Sequence, residues 1–298
     1  MIRKSLTLLI PIVVIYSKNI QKSTQINRNI EKIDVLSEHT TVNDAKIFPF
    51  MAAVLKKSKF ISAGALIDES WVLTGADSLF LIRESSRMIR VRLGSVNYRK
   101  GGFVTPIKFF EIHPYFDDSK PLFDVALIKL PNPVKLTPNL NPIRLQKKPR
   151  NVAATHFIVT SWPIVMNWNR TKNYRNSKEL NKHRILTVSH LHPTDPEECT
   201  EELDMLVPDH NNTRAIMCFD SLIGSDPCQR EIGAPVVLNG ILWGIISSWK
   251  SEDCDVEGGP SFATLVSAID VSTWIHSTIH AKKWNKKHVI VDYEDNYI

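Results

Sequence analysis

The sequence predicts an all-β protein, a sandwich or barrel of short strands closed by one helix near its C-terminal end. Three observations carry that reading. Short apolar runs separated by polar turns recur from Phe48 onward. Ile89, Val91 and Leu93 alternate with Arg90 and Arg92, the period of two of a half-buried strand. Over residues 268–280, Val271, Trp274, Ile275, Thr278 and Ile279 fall on one helical face.

The segments follow in order. Arg3 and Lys4 precede an apolar run at 6–16, and Ser17 supplies a small residue, so 1–17 reads as a secretory signal peptide. The run falls well short of the ~20 residues of a membrane-spanning helix. Residues 18–45 are polar without a sustained period and form an extended or disordered leader. Strands are expected at 51–55, 65–67, 71–73, 89–93 and 125–130. Residues 163–183 form a long exposed loop that suits the glycosylation sequon at Asn169; a second sequon begins at Asn211. Two apolar strands within 234–246 flank Asn239-Gly240, the signature of a type I′ hairpin turn. Residues 281–298 form a charged tail, basic first and acidic at 292–295.

Composition bounds the function. The 298 residues suffice for one large β domain or two smaller ones, and 43% apolar with 23% charged is ordinary for a globular protein. The formal charge of +6 falls to +4 when Arg3 and Lys4 leave with the signal. Its basic clusters, Lys147, Lys148 and Arg150 and the four lysines of 282–287, read as solvated surface, with polyanion contact through the basic tail as the alternative. No nucleic-acid-binding motif is present, and no cofactor or metal is implied. The four cysteines, Cys199, Cys218, Cys228 and Cys254, lack the C-x-x-C spacing of a zinc site. In a secreted chain they suggest two disulfides, with three pairings open.

Three segments carry a resemblance. S-A-G-A-L-I at 62–67 followed by W-V-L-T-G-A-D-S at 71–78 is similar to C-G-G-x-L-I and W-V-L-T-A-A-H-C; D-V-A-L-I-K-L at 124–130 to D-I-A-L-L-K-L; and C-Q-R-E-I-G-A-P-V at 228–236 to C-Q-G-D-S-G-G-P-L. Residues 46–280 therefore resemble the trypsin/chymotrypsin-like serine protease family. The resemblance implies two packed six-stranded antiparallel Greek-key barrels with a C-terminal helix, and a boundary between them near 145–150. It pairs Cys199 with Cys218 and Cys228 with Cys254. The family's disulfide beside the catalytic histidine would join positions held here by Ser62 and Ser78.

Family chemistry needs a serine nucleophile, a histidine base and an aspartate that orients the base. The resemblance maps these onto Ile232, Asp77 and Asp124, so the triad is degenerate and no catalytic residue is assigned. Isoleucine has no lone pair with which to form an acyl-enzyme. Arg230 stands at a glycine of the oxyanion hole, and Glu231 at the aspartate that receives the freed N-terminus after activation. Near Leu36, where activation cleavage is expected, no basic residue stands. Asp226 occupies the place of a trypsin-type specificity aspartate, and Lys250 that of a pocket-wall glycine, so the two would pair and fill the pocket. Asp124 is expected to be a buried acceptor, with Ser248 as its donor.

The function expected is that of a non-catalytic protease homologue, a class frequent in insects. It would bind extracellular proteins, such as active serine proteases or their substrates. Its role would be cofactor, scaffold or decoy in an extracellular proteolytic cascade, immune or reproductive. Two alternatives stand beside it: an enzyme with rewired hydrolytic chemistry at the Asp77/Asp124 pair, and a secreted structural protein that binds polyanions.

Overall fold

The computed structural model describes residues 40–147, 156–162, 164–165, 184–206, 215–220, 229–247 and 261–281. The chain begins with β1 (Thr40–Thr41), β2 (Met51–Lys56), β3 (Lys59–Asp68) and β4 (Trp71–Thr74). A one-turn helix, α1 (Asp77–Phe80), and a 3₁₀ segment (Arg83–Met88) lead to β5 (Ile89–Leu93), β6 (Phe103–Pro106), β7 (Phe109–Ile112) and β8 (Ala126–Lys129). Strands β2 to β8 form one antiparallel sheet in the order β6-β5-β2-β3-β4-β8-β7. Its end strands, β6 and β7, are separated by Ile107 and Lys108 alone. They are two halves of one bent strand, the first paired with β5 and the second with β8, so the sheet closes into a barrel. Pro106, without an N–H to donate, ends the first half.

The second barrel is built from β10 (Phe157–Ser161), β12 (Thr187–Leu191), β13 (Ile216–Phe219), β15 (Pro235–Leu238), β16 (Ile241–Ile246) and β17 (Ser261–Leu265), in the order β12-β10-β15-β16-β17-β13. Its ends meet at the Pro193–Phe219 bridge, where Thr194 N–H donates to the Cys218 carbonyl at 3.0 Å and Asp220 N–H to the His192 carbonyl at 2.9 Å. Strand β9 (Arg144–Leu145) runs parallel beside β16, and β11 (Ile164–Val165) pairs with β14 (Gln229–Arg230) as a separate ribbon. Two further helices complete the order, α2 (Pro196–Leu206) and α3 (Ile269–His280). This is the mostly-β, two-barrel architecture that the resemblance implied. The expected hairpin is β15–β16, with both turn residues at positive φ, Asn239 at 52° and Gly240 at 69°.

Burial explains why some strands alternate and others do not. Arg90 and Arg92 face outward while Ile89, Val91 and Leu93 are fully buried, so one face of β5 is solvated. Strand β2 reads as a continuous apolar run because both its faces are covered. Ala52 and Val54 point into the first barrel with Leu66, Val72, Ile89 and Ile128. Met51, Ala53 and Leu55 point the other way, into a core shared with Phe157, Val236, Ile245 and Phe262 of the second barrel. The barrels therefore share one apolar interface.

Two elements depart from the sequence reading. The last residues of the polar leader belong to the fold: Thr40 and Thr41 pair with Val188 and Thr187, and Val42 is buried at 3% exposure. Three residues give no periodicity, so the composition of the leader concealed them. Helix α2 was also unforeseen. Its start is marked by Asp195, whose carboxylate accepts the Glu197 N–H at 2.9 Å, with Pro196 at the first helical position and Glu197 and Glu198 in the first turn.

Candidate functional site

The three positions singled out by the motifs converge where the barrels meet. The chain leaves β4 at Thr74 and passes Gly75 before turning into α1 at Ala76 and Asp77. In the turn that precedes the neighbouring strand β8, Phe123 takes a positive φ of 54°, and the residue that follows, Asp124, is buried at 1% exposure. Its Oδ1 accepts the Ala76 N–H at 2.6 Å and the Asp77 N–H at 3.0 Å. Its Oδ2 accepts the hydroxyl of Ser247 at 2.8 Å. Asp124 is thus a buried acceptor with both oxygens engaged, linking α1 of the first barrel to the end of β16 in the second. The donor is Ser247; Ser248 lies outside the described residues.

Ile232 lies on the second-barrel side of the junction, 7% exposed. Its carbonyl accepts the Ala63 N–H at 2.9 Å and the Ser62 hydroxyl at 3.3 Å, which draws the 231–234 turn onto β3. Gly233 follows with φ +70°, and a Cβ there would stand 2.1 Å from Ser62 Oγ and 2.5 Å from the Ala63 carbonyl. A Cβ on Gly75 would touch Asp124 Oδ1 and Gly233 Cα, both at 3.5 Å. Close approach of two glycine backbones thus brings Asp124, α1 and Ile232 together. Asp77 is half-buried and begins α1, with its backbone N–H on Asp124.

The two serines at positions where the resemblance implies a disulfide, Ser62 and Ser78, are each hydrogen-bonded. Ser62 is fully buried, its hydroxyl within 2.8 Å of Thr74 Oγ1, and Thr74 in turn donates to the Ala63 carbonyl at 2.5 Å. Ser78 Oγ donates to the Ile61 carbonyl at 3.1 Å, tying α1 back to β3. Glu231 is held by the Ser189 hydroxyl at 2.8 Å. These hydroxyl partners were not legible in the sequence, since hydroxyls of this kind carry no spacing signature.

Chemically, the junction presents a fully engaged carboxylate, an aliphatic side chain and hydroxyls bonded to carbonyls. Among the described residues, no group of three or more His, Cys, Asp or Glu side chains is arranged to hold a metal ion, and no helix is long and apolar enough to cross a membrane. Cys199 and Cys218 form a disulfide that joins α2 to β13. Asp226, Lys250, Cys228, Cys254, Asn169 and Asn211 lie outside the described residues, and Arg230 is described in its backbone alone, paired with Ile164.

Comparison with known proteins agrees with this fold. The family model described as Trypsin matches residues 38–275. Trypsin of Sarcophaga bullata is 31% identical over 215 residues, 72% of this chain and 77% of the relative. Kallikrein-15 of Saguinus oedipus is 26% identical over 234 residues, 78% of this chain and 86% of the relative. Among solved structures, neuropsin, a serine protease expressed in the limbic system of mouse brain, superposes with a TM-score of 0.61. It is 23% identical and covers 80% of this chain and 98% of its own, a likeness of fold.

Proposed function

The chain belongs to the trypsin family, and on that premise we propose that it is a secreted homologue that binds extracellular proteins and does not cleave them. The observation that carries this reading is Ile232. In the family motif its position is that of the nucleophile, and its side chain offers no atom that can attack a carbonyl. Asp77, at the position of the base, supports the same reading. A carboxylate on the residue whose N–H meets Asp124 cannot do the work of an imidazole held by an aspartate. The alternative, hydrolysis by an Asp77/Asp124 pair, is disfavoured by the three hydrogen bonds that already engage Asp124.

Secretion is supported by the signal-like segment 1–17 and by the Cys199–Cys218 disulfide, which belongs to an oxidising compartment. Glycosylation at Asn169 and Asn211 and a pocket filled by Lys250 against Asp226 are part of the same proposal. So is a role as cofactor, scaffold or decoy for active proteases in an extracellular cascade.

The test is direct. The purified secreted protein is incubated with a fluorophosphonate probe and with arginyl, aromatic and aliphatic ester substrates. No labelling and no turnover above the buffer rate are expected. Turnover that disappears in Asp124→Asn would overturn the proposal in favour of rewired hydrolysis.

A further inference from the structure

The outer face of the first barrel carries a concentration of positive charge that the junction does not use. Lys56, Lys57 and Lys59 lie on the β2–β3 hairpin, and Arg87, Arg90, Arg92, Arg99 and Lys100 on or beside β5 and the loop that follows it. No acidic residue occurs in 45–67 or in 85–110. The two segments form one surface. Arg99 donates from Nη1 to the Ser58 carbonyl at 3.0 Å, Lys57 N–H donates to the Met88 carbonyl at 2.9 Å, and the rings of Phe60 and Tyr98 lie 5.2 Å apart.

Three of the four arginines, Arg90, Arg92 and Arg99, are held by neutral partners. Arg92 reaches the carbonyls of Tyr98, Gly101 and Arg99, and Arg90 those of Arg87 and Ile89. Carbonyl contacts fix a guanidinium in place without cancelling its charge. Among the described residues the one ion pair is Lys120–Asp117, which involves none of these eight cations. The result is a preorganised positive field.

Apolar side chains stand beside the cations. Phe103 is 50% exposed and Val104 41%, and Val104 is the cross-strand partner of Arg92. Their strand, β6, has β5 on one side and, among the described strands, no hydrogen-bonded neighbour on the other. A sulfated glycan would use the cations and leave Phe103 and Val104 wet. A polypeptide with carboxylates alternating with apolar side chains uses both, and a strand edge suits an extended segment.

We propose that this face, formed by the β2–β3 hairpin, β5, β6 and the loop between those two strands, is a docking surface for an extended acidic segment of a partner protein. It deepens the binding reading above but stands on different residues, so its failure leaves the probe-and-ester test of that reading untouched. Acidic segments reach such a surface by electrostatic steering and are retained by the apolar contacts.

The experiment uses the full secreted chain and a fluorescein-labelled peptide in which glutamate alternates with leucine, read by anisotropy. Binding is expected to weaken about tenfold as salt rises from ~0.05 to ~0.5 M. The variant Lys59→Glu/Arg87→Glu/Lys100→Glu alters exposed side chains and should weaken binding at least tenfold with unchanged melting temperature. Phe103→Ser/Val104→Thr should weaken the peptide several-fold and leave retention on heparin unaltered. Heparin retention without peptide binding would overturn the proposal in favour of a glycan. Peptide binding that appears only after removal of 282–298 would overturn it in favour of this chain's own acidic end.

Discussion

At the scale of single residues, the junction is most sensitive where backbone meets backbone. Gly233→Ala places a Cβ inside van der Waals contact of Ser62 and Ala63 at a φ that side chains avoid, so a loss of about 3 kcal/mol is expected in urea unfolding. Asp124→Ala leaves the Ala76 and Asp77 N–H groups and the Ser247 hydroxyl without their acceptor, again about 3 kcal/mol, read from the same curves. Titration adds a signed effect. Burial lowers the pKa of His113, opposed by the backbone and charge of Asp270, and burial with the neighbouring His156 and His192 lowers that of His190. A histidine held below its ordinary 6.5 binds fewer protons folded than unfolded, so its contribution is present above 6.5 and is lost as pH falls toward the folded value. Glu111, raised above 4.5 by burial against the lowering hydrogen bond from Thr278, acts with the opposite sign as pH climbs from 4.5. Melting temperature should therefore drop between pH 7 and pH 5, and His113→Gln should flatten that slope.

At the scale of elements, legibility in the sequence followed the physics of each segment. Strand β5 declared itself because one face is wet, and the β15–β16 hairpin because Asn239-Gly240 meets a positive-φ requirement at both positions. Helix α2 did not, because acidic side chains crowd it and Leu203 is its one described core residue. It is held from outside, by the Asp195 cap and by the disulfide to β13. Cys199→Ser/Cys218→Ser should cost ~2–4 kcal/mol, as expected for a cross-link closing a loop of 19 residues. In the junction, motif order named Asp77, Asp124 and Ile232, but the donor to Asp124 is Ser247, and adjacent serines cannot be told apart from their order in the sequence.

At the scale of the whole molecule, the two barrels share their largest apolar cluster, with Leu73 and Val125 in contact with the body that holds Val236 and Ile245. Polar links cross the same plane, from Ala63 to Ile232 and from Asp124 to Ser247. Neither barrel can leave without exposing the other. Thermal unfolding followed by tryptophan fluorescence and by far-ultraviolet circular dichroism should therefore give one coincident transition; two separated midpoints would contradict the shared core.

The first barrel, residues 51–129, contains no cysteine, since the four lie between 199 and 254. As the chain is synthesised, its leading half emerges free of thiols. Disulfide formation is confined to the trailing half. Ser62 and Ser78 bring no thiol that could mispair with the four cysteines of the trailing half.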